Sequence, residues 1–237
     1  MKQLVCLMTF FVGLQLNAQN NSLGEKTFTA YSEYLLSEYG ISCKIPSAFI
    51  NTDKYNVSVK IRKDKDKHIG NCYGLTLISK DKQCMVLYSA FPHQVLQGES
   101  EEGIAPVFPR SQIIAELKTA LGEYYHPHHP KNINSAEFNF NKFVTVVSGN
   151  RAIQMFNADS IYIYDIPGGD SVYFFNEALE KKRKNKYPYC SSLFISKKGR
   201  VGMDLKFFFT KRGKKNERKY FEELNKQIWY EEGLKQY

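Results

Sequence analysis

The stretch 191–209 constrains the fold more than any other part of the chain. Segments 191–196 and 201–209, rich in apolar residues, read as two strands, and Lys198-Gly199 between them has the chemistry of a tight turn, so the pattern predicts an antiparallel hairpin. Pairing through that turn sets Phe194 opposite Met203 and Cys190 opposite Phe207, with one wholly apolar face turned to the core. A second hairpin is predicted from alternation in 73–78 and 83–88 around Lys80-Asp81, which sets Leu77 opposite Cys84 and Cys72 opposite Ser89.

Shorter strands fit the same scheme. Ile41, Cys43 and Ile45 alternate with Ser42 and Lys44 until Pro46 ends the run, and Val57, Val59 and Ile61 share one face within 56–63. Segments 143–147 and 161–166, rich in β-branched and aromatic residues, read as central strands. Helical spacing marks three other places. Ser111 is a suitable N-cap for Ile113, Ile114, Leu117, Leu121 and Tyr124, a run stopped by His126-Pro127. Val172, Phe175 and Leu179 suggest a helix after Gly168-Gly169-Asp170, and Asn216 is placed to cap a final helix with an apolar stripe of Tyr220, Phe221, Leu224, Ile228 and Trp229. The expected class is α+β, an antiparallel sheet flanked by helices, in a single domain over 19–237. The chain's 17 Phe and 16 Tyr supply a large core, and no linker or low-complexity tract divides it.

Residues 1–18 read as a signal peptide. Lys2 gives a positive start, 4–14 form an apolar run too short to cross a bilayer, and Leu16-Asn17-Ala18 ends in a small residue where cleavage is expected. Cys6 lies inside that run rather than at the cleavage point, so a soluble periplasmic or secreted product is expected, not a lipoprotein. No later stretch is long and apolar enough to span a membrane.

The formal net charge of +9 is concentrated in the runs 60–67, 181–186 and 211–219. Such a surface attracts anions. Export makes an acidic glycan, another anionic surface or an envelope or extracellular protein the expected partner. No nucleic-acid-reading motif is present. The candidate binding residues are Lys181, Lys182, Arg183, Lys184 and Lys186.

Chemistry is harder to assign. His126, His128 and His129 are candidate metal ligands, but no distant partner or HExxH spacing completes a tetrahedral set, and no cofactor is expected. Gly169-Asp170-Ser171 resembles the nucleophile block of GDS-type esterases, yet no histidine follows His129, so that plan lacks its base. Glu99, Glu101 and Glu102 are the carboxylates that a glycosidase reading would use, in the irregular stretch 99–110. Cys43, Cys72, Cys84 and Cys190 allow two disulfides or four free thiols; a bond between Cys72 and Cys84 conflicts with their places in the hairpin.

The segment Tyr39-Gly40-Ile41-Ser42-Cys43-Lys44-Ile45-Pro46-Ser47-Ala48-Phe49, with the closing hairpin and amphipathic C-terminal segment, resembles the Mog1/PsbP-like group. The resemblance implies an antiparallel sheet covered by helices and used for docking, with no fixed catalytic residues. The expected function is that of an exported, non-catalytic binding or accessory protein. The alternative is a secreted hydrolase, metal-assisted through 126–129. A domain that adds a strand at its sheet edge is a third class, and sequence does not rank the edges.

Overall fold

The computed structural model describes residues 24–52, 57–61, 69–90, 109–121, 139–166, 172–174 and 177–233. In chain order the elements are helix α1 (Gly24–Tyr39), strands β1 (Ile41–Cys43), β2 (Phe49–Asn51), β3 (Val57–Ile61), β4 (Ile69–Ser79) and β5 (Cys84–Ser89), then helices α2 (Pro109–Leu121) and α3 (Phe140–Phe143). Next come β6 (Val144–Ser148), α4 (Asn150–Phe156), β7 (Ser160–Asp165), β8 (Val172–Phe174) and α5 (Glu177–Lys186). The chain continues through β9 (Tyr189–Ser196), β10 (Met203–Phe209), α6 (Lys211–Lys215), α7 (Glu217–Glu222) and β11 (Ile228–Tyr230). The class is α+β, as expected. No described helix is long and apolar enough to cross a membrane.

An antiparallel sheet runs β6-β7-β9-β10-β5-β4-β3-β8, with β2 attached to β4, and β1 pairs separately with β11. Its centre is covered on both faces. Leu205, Phe207 and Phe209 of β10 pack on one side with Leu35 of α1, Phe156 of α4 and Phe221 of α7. Phe208 packs on the other side with Ile113, Ile114 and Leu117 of α2. Every residue of β10 is buried. A strand buried on both faces gives alternation no single inward side to report.

That double burial explains the first departure from the sequence reading. In the β9–β10 hairpin Met203 pairs with Ile195, Asp204 with Phe194 and Phe208 with Cys190, one residue away from the expected register. A shift of one exchanges the faces. The cause lies in the connection, where Gly199 has φ 70° and Arg200 is pulled inward. Its guanidinium donates to the carbonyls of Tyr39, Gly40 and Glu231 and lies 5.8 Å from the Tyr230 ring centre, which lengthens the loop beyond a tight turn.

The β4–β5 hairpin is displaced by two residues, with Leu77 opposite Val86 and not Cys84. This leaves the faces unchanged. Ser79 and Asp81 close its turn by accepting the Gln83 N–H, and Lys82 sits at φ 58°. At Gly74 the register then shifts by one residue, a β-bulge. Leu75 and Leu77 pack toward α1, whereas Tyr73, two residues earlier, joins the α2 side. The bulge therefore re-aims Tyr73, and a side chain at Gly74 would press on Tyr31, its Cβ 3.0 Å from Cε2.

Three helix expectations need correction. α2 begins at Pro109, before Ser111, because proline fixes the first helical φ without losing a needed donor. Val172–Phe174 is a strand pairing with β3, and the helix starts only at Glu177. The apolar stripe after Asn216 is not one helix. Asn216 stands at the N-cap of α7 as expected but makes no side-chain capping bond, whereas Thr210 caps α6 by accepting the Gly213 N–H; α7 stops at Glu222, and the backbone turns through Lys226 at φ 58°. Ile228–Tyr230 then pairs with β1, Ile41 opposite Tyr230. The stripe's Tyr220, Phe221, Leu224 and Ile228 are nevertheless buried, as expected of a core face.

Candidate functional site

Two of the three basic runs meet at one end of the sheet. α5 ends at Lys186, and Tyr187 donates its hydroxyl to the Lys82 carbonyl in the β4–β5 turn at 3.2 Å. Tyr189 pairs with Phe209, and the next residue, Thr210, donates its N–H to the Gln83 carbonyl at 3.0 Å. Helix α6 then lies against the same turn. A Cβ at Gly213 would fall 2.2 Å from the Gln83 carbonyl oxygen, so only glycine permits the approach. The result is a rim on which Lys80, Lys82, Lys186, Lys211, Arg212 and Lys215 are exposed.

The acids in this rim are engaged. Burial works against ionisation of Asp81, but the Ser79 and Tyr220 hydroxyls, the Gln83 amide and the Lys219 charge outweigh it and hold the carboxyl below the usual aspartate range. Of the residues expected to bind, Lys181, Lys184 and Lys186 are exposed on α5. The Lys182 side chain lies outside the described residues. Arg183 departs from the expectation of a binding surface. It is 3% exposed, donates to Glu180 and the Tyr187 carbonyl, and lies 5.4 Å from the Phe208 ring centre. Helical periodicity turns that one position inward, so its long stem packs as core.

A second charged group is buried between α2 and the sheet. Lys206 Nζ donates to Glu116 Oε2 at 2.8 Å and to Asp204 Oδ1 at 2.9 Å, with all three side chains 0–1% exposed. Tyr164 and Tyr73 donate to Glu116 and Asp204 at 2.6 and 2.8 Å, and Asn71 Nδ2 donates to Glu116 Oε1 at 3.0 Å. Burial pushes the Glu116 carboxyl up; Lys206 pulls it back and Asp204 adds to the push. Burial lowers the Lys206 ammonium less than Asp204 and Glu116 raise it, so it is held above the ordinary lysine range. With no solvent access this group meets no substrate. It fastens α2 to the sheet.

A third cluster joins β7, β9, α6 and α7. Lys214 Nζ donates to Asp165, Glu217 and, at 2.9 Å, Ser191 Oγ. A serine hydroxyl beside a lysine amine is the outline of a Ser–Lys nucleophile pair. Here the ammonium is a donor to Ser191, not a base for it, and Ser191 is fully buried. The cluster ties the two short helices to the sheet. Asp165 thus has a partner, and Asp159 accepts from the Lys198 N–H at 2.5 Å.

The remaining sequence candidates divide clearly. His126, His128 and His129, the carboxylates Glu99, Glu101 and Glu102, and Gly169-Asp170-Ser171 lie outside the described residues, as does the leader 1–18. None of the four cysteines that were candidates for bridges is in a disulfide: Cys43, Cys84 and Cys190 are buried and Cys72 is exposed. Burial pushes the thiols of Cys43 and Cys190 up to about 12. A thiol reagent at pH 8 should label Cys72 in the native protein and reach Cys43, Cys84 and Cys190 only in denaturant. Peptide mapping that finds Cys43 or Cys190 labelled as fast as Cys72 would contradict their placement.

Comparison with known proteins gives no match: no family model, no curated protein and no solved structure.

Proposed function

We propose that this chain is an exported, non-catalytic binding protein that engages an anionic polymer of the envelope or extracellular space through the basic end of its sheet. The observation that carries this is the convergence of α5, α6 and the β4–β5 turn, distant in sequence, into one rim of exposed lysine and arginine. The chemistry suits a polymer better than a small anion. The cations are solvated heads spread along three elements, so each contributes a modest, screened attraction, and many must act together. The leader-like residues 1–18 support export, and the similarity of 39–49 to the Mog1/PsbP-like group supports a binding role.

The test is a salt gradient on an immobilised acidic polysaccharide, using the exported product, whose first residue should be Gln19. The protein is expected to bind at low ionic strength and elute as the screening length falls to about 8 Å near 0.15 M salt and shorter beyond. Passage through the column at low salt, or retention indifferent to salt, would contradict the electrostatic reading. A product that still carries Met1 would contradict export.

A further inference from the structure

Among the described residues the sheet path ends at β6 on one side and at β8 on the other. β6 is the longer of the two, and its five residues, Val144-Thr145-Val146-Val147-Ser148, include no charge and no proline. Edge strands are ordinarily blunted by lysine, proline or a bulge, because their open backbone groups accept another strand. None of these devices is present in β6, and its pairing with β7 is regular over all five residues. Thr145 and Ser148 are exposed, and Val146 is 44% exposed; beside this strand Ile153 of α4 is 48% exposed.

We propose that β6 pairs antiparallel with β6 of a second copy of this chain. The segment is suited to itself. Centring the pair on Val146 uses all five residues, with Val144 opposite Ser148, Thr145 opposite Val147 and Val146 opposite its own counterpart, a β-branched pair across the dyad. The strand carries no charge, so the pairing brings no like charges opposite one another within it. The symmetry is the self-complementary two-fold commonest among homodimers. β8, by contrast, offers three residues.

The direction of β6 has a consequence for the assembly. Val144 pairs toward the end of β7, and that end of β7 pairs with the start of β9, beside the basic rim. Antiparallel pairing therefore points the two rims in opposite directions along a continuous sheet. If the proposed polymer binding holds, such a dimer bridges two strands rather than clamping one. The dimer itself does not depend on that reading.

Light scattering on the size-separated protein tests the pairing. The wild type should have twice the mass of one chain. Val146→Lys and Val146→Glu, at an exposed position, should each give a folded monomer, and mixing the two should restore a dimer through the opposed charges. A wild-type monomer at the highest soluble concentration overturns the proposal, and that reading stands even if a variant fails to fold. A Val146→Lys protein that remains dimeric overturns it equally. Polymer binding is measured separately, so a monomer that still binds would refute the pairing and leave the function intact.

Discussion

Replacing Lys206 with methionine is expected to lower folding stability by about 3–5 kcal/mol, because it leaves two carboxyl groups in a buried site without their cation. The site holds one positive group against Glu116 and Asp204, all three 0–1% exposed. Glu116→Gln should cost far less. It keeps an oxygen that accepts from Tyr164 and Lys206, its amide N–H can donate to the Asn71 oxygen once that side-chain amide turns over, and Lys206 and Asp204 remain as a balanced pair. The asymmetry is the informative part, since a surface salt bridge would lose at most about 1 kcal/mol from either side. Urea unfolding with an unchanged slope measures both.

The pH dependence of that variant has a definite sign. In the native site burial already raises Glu116 against the pull of Lys206, and removing Lys206 removes that pull. A carboxyl whose folded pKa exceeds its unfolded value, about 4.3, binds its proton more tightly when folded, so stability falls as pH rises through that window. The Lys206→Met deficit should therefore be largest at neutral pH and shrink toward pH ~4. The wild type should instead keep the Lys206 contribution below the ordinary lysine pKa, about 10.4, and lose it as pH climbs through the raised folded value. A deficit that grows on acidification would contradict the buried cluster.

The second large effect concerns the two faces of the sheet. Phe207 and Phe208 are neighbours in β10, point to opposite sides and are each 0% exposed. Phe207 meets Phe221 edge-on at 4.7 Å on one face, and Phe208 packs with the α2 residues on the other. Phe207→Ala and Phe208→Ala should each cost about 3–5 kcal/mol, the transfer loss plus the cavity left behind. A sheet covered on one face would tolerate one of them. Near-wild-type unfolding of either variant would contradict the helix–sheet–helix arrangement.

Much of the strand content was legible because alternation is local. Val57, Val59 and Ile61 fall on β3, and both hairpins form where their turns predict. Their registers were not legible. The β9–β10 connection is set by Arg200 reaching carbonyls some 160 residues earlier, and the β4–β5 register by the turn that Ser79 and Asp81 close, with a further one-residue shift at Gly74, whose place inside a strand was the available signal. The C-terminal stripe failed as a helix for a similar reason. Ile228–Tyr230 finds backbone partners in β1, a pairing of residues nearly 190 positions apart that no local pattern contains. Segment 143–147 was read as central, but its strand β6 (Val144–Ser148) ends the sheet path among the described residues, since composition does not report neighbours. Helix α1 was not read although Phe28, Tyr31, Leu35 and Tyr39 recur at helical spacing and form its core face, and α4, at 7 residues, is too short for periodicity to mark it.

The candidate site divides in the same way. The basic runs 181–186 and 211–219 stand out in the sequence, but only the pairing of Tyr189 with Phe209 and the contact of Gly213 with Gln83 join them and add Lys80 and Lys82. The buried group was invisible. Asp204 and Lys206 occupy the positions of a solvent-facing row in an alternating strand, and Glu116 sits among polar residues of an amphipathic helix.

The central claim is that the position of the basic charges, and not the net charge alone, creates the binding surface. Calorimetric titration of an acidic polysaccharide into two matched variants tests it most directly. Lys186→Glu with Arg212→Glu reverses two exposed charges at the rim, and Arg151→Glu with Lys198→Glu reverses two exposed charges at the other end of the sheet, for the same change in net charge. The rim variant should lose affinity by about tenfold or more, equivalent to ~1.4 kcal/mol, while the control stays within a few-fold of wild type. Equal losses in the two variants would contradict the claim.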